Sequence, residues 1–383
     1  MMLKLRFPLN LGIQKGLMKK LIYFCCLASF LAAGCQEDPV ENTQPAPETR
    51  FAFIGMEGQT PNGISSLARY NITDQTFENN FYRKENLAPL GAGLQDMIYD
   101  AEANLFLFSL GGTAEVTIAE GDSLRLVDRI EGLNGLKNIH QVGPNKYYLS
   151  SWDLDGIQVV QGRRFNLSTI IQGEGTGPGA MVSDEDLTFV VNTGGFFEDS
   201  TVTIIRNTVD TIVADLLVGI NPNSMVIDPD RYLWVLSSGR FNEQNPLQSG
   251  VGSFFRFQLD SLRQAIDSNQ TIPLDTFFYF NDNQLRPRQV VLNPEGRELY
   301  YLSGDPVGDV IRMSLSANRV SEIPFITGSF YSLAYDAMQN ELYGLEALGP
   351  DQDEDGNVRI FAPDGGLKNS FKIGVRPRTV AFK

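Results

Sequence analysis

One phrase in this chain recurs, and the recurrence restricts the fold more than any other feature. Its clearest copy is Pro222–Ser238, PNSMVIDPDRYLWVLSS. Met225, Val226 and Ile227 form one apolar run. Asp228-Pro229-Asp230 is a turn, and Leu233-Trp234-Val235-Leu236 is a second run. Two short runs of β-branched and aromatic residues around a Pro/Asp turn predict a hairpin. Further copies start at Leu94, Leu136, Pro178, Pro287, Phe330 and Pro377. Six residues into five of the seven stand Asp100, Asp184, Asp228, Asn293 and Asp336, where a short polar side chain can bond nearby backbone amides.

Successive starts are 42, 42, 44, 65, 43 and 47 residues apart. A period of about 40–50 residues with four strand-sized runs per unit predicts an all-β fold, a β-propeller. The last copy stops after one strand, at Lys383, and its continuation stands at the other end of the chain: Arg50–Met56, then Ser66–Ile72 and Thr76–Phe81. Pairing of these ends completes one blade, removes free edges and makes seven blades over residues 51–383. The long interval holds an insertion. Gly239–Gly252 is a long loop, and Asp260–Ile266 has helical spacing behind an Asp cap.

The first 34 residues read as a signal peptide. Met18-Lys19-Lys20 is basic, Leu21–Leu31 is apolar and short for a bilayer span, and Ala32-Ala33-Gly34-Cys35 follows. That ending resembles a bacterial lipobox, which implies lipidation of Cys35. Residues 35–50 are polar, acidic and proline-containing, as in a flexible tether. Gln36-Glu37-Asp38 resembles an acidic export signal, so the expected location is the outer membrane, on the cell surface or the periplasmic face. Cys25 and Cys26 fall in the signal, which leaves Cys35 without a disulfide partner. Five of the 31 basic residues precede Cys35 and none of the 46 acidic ones does. The remainder therefore has 26 basic and 46 acidic side chains, a net of −20. Such a charge argues against nucleic acid and anionic lipid as partners; membrane attachment would come from the lipid.

The phrase Ile220–Gly239 resembles the YVTN/YncE-like propellers, in particular a branch of surface lipoproteins. That resemblance spans Phe51–Lys383. It implies an exported seven-bladed β-propeller lipoprotein; the expected state is a monomer. One such relative binds a corrinoid beside a TonB-dependent outer-membrane transporter. The family's signatures mark blades, so no site residue carries over.

Catalytic chemistry has few candidates. His140 is the one histidine, it sits in an inner strand, and no G-x-S-x-G elbow exists. One imidazole cannot build a multi-His metal shell. Gly173–Gly179 (GEGTGPG) leads into a strand, so it reads as a connection and not a phosphate loop. Asp351, Asp353 and Asp355 alternate before Gly356, the first half of a calcium loop, although Ala362 replaces its closing Glu. Ca²⁺ there stands against a solvated acidic loop.

Binding has more candidates. Loops between the second and third strands carry Trp152, Asp153, Phe196, Phe197, Arg240 and Phe241. Aromatics on loops held by a rigid scaffold suggest recognition, against the alternative that they cap blades. The residue after each repeat start should face the channel mouth: Gln95, Lys137, Gly179, Asn223, Arg288, Tyr331 and Arg378. Basic groups there would focus an anion, unless neighbouring carboxylates neutralise them. The expected function is non-enzymatic capture of a small, corrinoid-like molecule. The alternatives are a carboxylate- or metal-dependent lyase or hydrolase on the same rim, or a protein-interaction scaffold. Asp122-Ser123-Leu124, Asp210-Thr211-Ile212 and Asp260-Ser261-Leu262 resemble a bacterial O-glycosylation motif.

Overall fold

The computed structural model describes residues 49–59, 63–242, 244–245, 249–349 and 351–383. The expected signal peptide, Cys35 and the tether up to residue 48 lie outside them. Arg50, at the tether's predicted end, is tied down: its guanidinium forks onto the Asp336 carboxylate at 3.0 and 3.1 Å.

The fold is all-β, a propeller-like arrangement of antiparallel sheets. Strands β1 (Phe51–Met56), β2 (Ser66–Asn71) and β3 (Thr76–Glu78) form one four-stranded sheet, completed by the C-terminal strand β27 (Pro377–Phe382). Ala52 pairs with Phe382 and Ile54 with Val380, so the predicted closure of the two chain ends is present. The third strand is shorter than the expected Thr76–Phe81. A helix, α1 (Phe81–Asn86), takes over at Phe81 and buries Phe81 and Tyr82.

The second sheet holds β4 (Leu94–Asp100), β5 (Leu105–Leu110), β6 (Glu115–Glu120) and β7 (Leu126–Glu131). The third holds β8 (Leu136–Gly143), β9 (Lys146–Ser151), β10 (Gly156–Gln161) and β11 (Asn166–Ile171). The fourth holds β12 (Pro178–Asp184), β13 (Leu187–Asn192), β14 (Thr201–Arg206) and β15 (Thr211–Leu217). The fifth is β16 (Pro222–Ile227), β17 (Tyr232–Ser237), β18 (Ser253–Gln258) and β19 (Thr276–Tyr279). Helix α2 (Leu259–Asp267) lies between β18 and β19 as expected, but its cap is the Gln258 side chain, which accepts from the Ser261 amide, and not Asp260.

The remaining strands do not separate into two further sheets. β20 (Arg288–Leu292), β21 (Glu298–Leu302), β22 (Gly308–Ser314), β23 (Pro324–Asp336), β24 (Glu341–Leu348), β25 (Glu354–Phe361) and β26 (Leu367–Val375) form one seven-stranded sheet. The pairing thus gives five four-stranded sheets and one of seven strands, where the repeat predicted seven alike. β23 causes the join. Its first half pairs with β22 and its second half, from Phe330, with β24, without a break at the repeat start.

The first strand of each repeat packs on the next, in the order β4, β8, β12, β16, β20, β23, β27 and back to β4. Between sheets lie the apolar layers. Met225 and Ile227 pack with Phe189 and Val191 on one side of their hairpin. Trp234 packs on Leu299 and Tyr301 on the other, so the apolar residues of the repeat fill the layers between sheets. Four of the five turn carboxylates or amides bond local backbone amides as predicted. Asp228 accepts from Tyr232, Asp100 from Ala103, Asp336 from Met338 and Asn293 from Arg297. Asp184 instead turns to Arg231 and Arg263.

Candidate functional site

The register slips at the start of the repeats: between Leu94 and Asp96, Pro222 and Ser224, Arg288 and Val291, and Phe330 and Ser332. The same happens opposite β27, between Gly55 and Met56. A bulge bends its strand and re-aims a side chain. Here it turns the residue after the repeat start inward. Gln95, Asn223, Arg288, Tyr331 and Arg378, from five repeats, line one cavity of about 320 Å³. All five are positions expected at the channel mouth, brought together from up to 283 residues apart in sequence.

The polar groups of this cavity hold one another. Arg378 donates Nε to the Gln95 carbonyl at 2.7 Å and Nη1 to Glu57 at 3.2 Å and the Tyr331 hydroxyl at 3.1 Å. Tyr331 donates its hydroxyl to the same Glu57 oxygen at 2.8 Å. Burial works against the charge of Arg378, but Tyr331, Glu57 and Asp96 nevertheless raise its pKa. Arg288 donates Nε to the Gly304 carbonyl at 3.1 Å and Nη2 to the Pro306 and Tyr331 carbonyls. It lies 3.4 Å from Asp305, and burial lowers its pKa. Asp96, also on the cavity wall, accepts from Asn138 and from the Met97 and Ile139 amides. Burial raises its pKa all the same. Neutralisation of the mouth cations by carboxylates is therefore partial: Arg378 has Glu57, while Arg288 leans mainly on carbonyls.

Glu57 escaped the sequence reading. It occupies the first position after its sheet's second strand, as Trp152 does in the third sheet. Laying Phe51–Glu57 on Lys146–Trp152 would have revealed it.

The aromatic loops form a chain of contacts along the same rim. Lys137 sets its ammonium 3.7 Å from the Trp152 ring centroid. Trp152 meets Phe196 edge-on at 5.8 Å. Glu198 beside Phe197 pairs with Arg240 at 2.6 Å, and Phe241 stacks under Arg286 at 4.6 Å. Phe196 and Phe197 are 76% and 78% exposed and Phe241 53%, so capping of the blades does not explain them. Asp153 is exposed beside Lys137. Gly179 and Lys137 stand outside the walls of the cavity itself. Three side chains in this region keep buried polar atoms without partners: Trp152 Nε1, Asn223 Oδ1, and Arg286 at Nε and Nη2.

Asp351, Asp353 and Asp355 are not drawn together in this structure. Among the described residues no group of three His, Cys, Asp or Glu side chains is placed to hold a metal. Asp351 and Asp353 are exposed in the β24–β25 loop, whose Asp351 and Gln352 carbonyls accept from Arg376. Asp355 already belongs to β25 and pairs with Val375. Gly356 makes no turn; it is buried inside that strand. His140 is a hydrogen-bonded strand histidine. Its Nε2 lies 2.7 Å from Ser183, followed by Thr188 and Asn207, and burial lowers its pKa to about 4. Of the glycosylation-like motifs, Ser123 sits in the β6–β7 turn, Thr211 begins β15 and Ser261 lies in α2, all away from the loops that carry the aromatics.

Solved structures with this fold include a quinoprotein alcohol dehydrogenase-like protein of Bacteroides thetaiotaomicron, 14% identical, with a TM-score of 0.61 over 85% of this chain and 77% of that one. A candidate 6-phosphogluconolactonase of Bacteroides uniformis is 12% identical, with a TM-score of 0.65 over 88% and 99%. The hydrazine synthase of Kuenenia stuttgartiensis is 13% identical, with a TM-score of 0.57 over 78% and 90%. Such identities show the fold alone: a β-propeller. No protein-family model matches the chain, and no curated protein does.

Proposed function

We propose that this protein is a non-enzymatic, lipid-anchored binding module: a seven-bladed propeller of YncE-like type that captures a small molecule at its channel mouth. On this reading the seven-stranded sheet is two blades sharing β23, which agrees with the closed ring of seven inner strands. The observation that carries the binding reading is the convergence of Asn223, Arg288, Tyr331 and Arg378 on one cavity beside exposed aromatics. A cavity with a few convergent polar groups on a rigid scaffold is the usual form of a small-molecule site. The lipobox-like Ala32–Cys35 and the acidic residues after it support attachment to the outer membrane. A corrinoid, with amides and a phosphate, suits arginine, asparagine and aromatics together, and delivery to a TonB-dependent transporter would follow.

The test is a thermal-shift screen of the full chain with corrinoids, haem, siderophores and glycans. A ligand stabilises by RT ln(1 + [L]/Kd), about 2.7 kcal/mol at a hundredfold excess over Kd. Saturable stabilisation that Arg378→Ala and Tyr331→Ala abolish is expected; no stabilisation by any compound overturns the reading.

A second reading has its own observation. Glu57, Tyr331 and Arg378 set a carboxylate, a phenol and a cation within hydrogen-bond distance of each other, the parts of a hydrolytic site. Turnover of a sugar lactone, lost in Glu57→Gln, would replace binding by catalysis.

A further inference from the structure

The hydrogen-bond inventory of the mouth is lopsided. Lys137 carries three N–H donors, and among the described residues no carboxylate or carbonyl accepts from them; its one contact is the face of Trp152. Such a contact attracts the cation without replacing an acceptor. Arg288 uses Nε and Nη2 and leaves Nη1 without an acceptor among the described residues. Arg378 likewise leaves Nη2. Trp152 Nε1 is buried with no partner. Against these donors stands a buried orphan acceptor, Asn223 Oδ1, whose amide nitrogen is spent on the Pro287 carbonyl at 3.0 Å.

The nearby carboxylates supply only part of what is missing. Glu57 accepts from Tyr331 and Arg378 through a single oxygen, Oε2, and Asp153 beside Lys137 is exposed to solvent. Asp96 accepts three bonds from Asn138, Met97 and Ile139. Asp305 is 66% exposed, with its carboxylate 3.4 Å from Arg288 Nε. Desolvation, then the charge of Arg378, lowers the pKa of Lys137 more than Glu57 and Asp153 raise it, so the ammonium still gains from an anion brought to it. A buried donor left unpaired is costly, and a partner recovers that cost.

Resting on the binding reading above, we infer that the ligand is a small acid that also carries a hydroxyl or amine. Its carboxylate or phosphate takes the free donors of Lys137, Arg288 and Arg378, and its own donor meets Asn223 Oδ1. Lys137, which lies just outside the cavity walls, closes over the acid from the rim.

Trp152 makes this measurable. The chain has two tryptophans, and the other, Trp234, is buried with its indole N–H on Asp228. Emission changes on adding ligand therefore report the Lys137–Trp152 contact. The full chain would be titrated with phosphate, citrate, gluconate and glutamate, and with the neutral counterparts glucose and glutamine. At least one acid should change the emission saturably where its neutral counterpart does not. That affinity should fall with added salt, since the charges are only partly buried. Lys137→Gln should weaken it about tenfold or more at unchanged melting temperature, the value of one charge-assisted hydrogen bond. Asn223→Leu should weaken gluconate but leave phosphate unaffected.

Neutral compounds binding as well as acids, or full affinity in Lys137→Gln, overturns the acidic class and leaves the site standing. Failure of all four acids overturns the inference. Failure of these together with the corrinoid, haem, siderophore and glycan set removes the binding reading too.

Discussion

At the scale of single residues, the polar side chains divide between scaffold and site. Asp228 belongs to the scaffold. One of its oxygens accepts from the Tyr232 amide at 2.9 Å and the other from the Trp234 indole at 2.8 Å. His140 is scaffold as well, and it carries a pH dependence. In the fold its pKa is about 4 because burial disfavours the charged ring; unfolded, it returns to about 6.5. Between those values the unfolded chain binds the extra proton. The contribution is thus fully present above about pH 6.5 and is lost as pH falls toward 4. The shift corresponds to roughly 3 kcal/mol. Urea unfolding of the parent and His140→Gln at pH 7 and pH 4.5 checks this. The parent should lose more stability than the variant on acidification, and equal losses would contradict it. The sequence alone showed that His140 lies in an inner strand. Its partner Ser183, 43 residues on, was hidden because only the ring of strands brings the two together.

At the scale of elements, hairpins were legible because their turn chemistry and apolar alternation are local. The bulges were not, since the slip of register between Leu94 and Asp96 has no residue signature of its own. The channel-mouth positions were nevertheless recoverable, because a repeat places equivalent residues equivalently. The backbone course of the acidic stretch Asp351–Gly356 was not legible for a related reason. Spacing of carboxylates says nothing about whether the backbone curls or extends, and here it extends into β25. Gly356 is glycine because of a close approach: a Cβ would lie 2.1 Å from the Glu346 carbonyl oxygen, a backbone atom of the neighbouring strand. Gly356→Ala should therefore cost about 3 kcal/mol or more, read as a lower urea midpoint. Calcium should leave the melting temperature of parent and variant alike unchanged. A midpoint equal to the parent's, or stabilisation by calcium, would restore the loop reading.

At the scale of the whole molecule, the two ends of the chain decide both fold and site. β27 pairs with β1 and packs on β4 and β23, so it is the piece that closes the ring of inner strands. It also delivers Arg378 to the cavity. The flanking contacts are polar as well as apolar: Lys383 pairs with Asp122, and Arg50 with Asp336. Closure was readable because the repeat at Pro377 breaks off where Arg50–Met56 resumes it. The fusion of two repeats through β23 was not, since nothing in Pro324–Phe330 distinguishes a strand that stops from one that runs on. Removal of Pro377–Lys383 would leave the backbone groups of β1 unpaired along one edge and uncover Phe53 and Ile54. An exposed apolar edge strand pairs with other chains. The shortened chain should lose its single cooperative thermal transition and elute as oligomers in size-exclusion chromatography. A synthetic peptide of residues 377–383 added in excess should restore monomer and transition together, since the groove it fills is otherwise intact. If the shortened chain stays monomeric and melts within a few degrees of the parent, β27 is an ornament on an already stable sheet, and the closed ring is not what holds this propeller together.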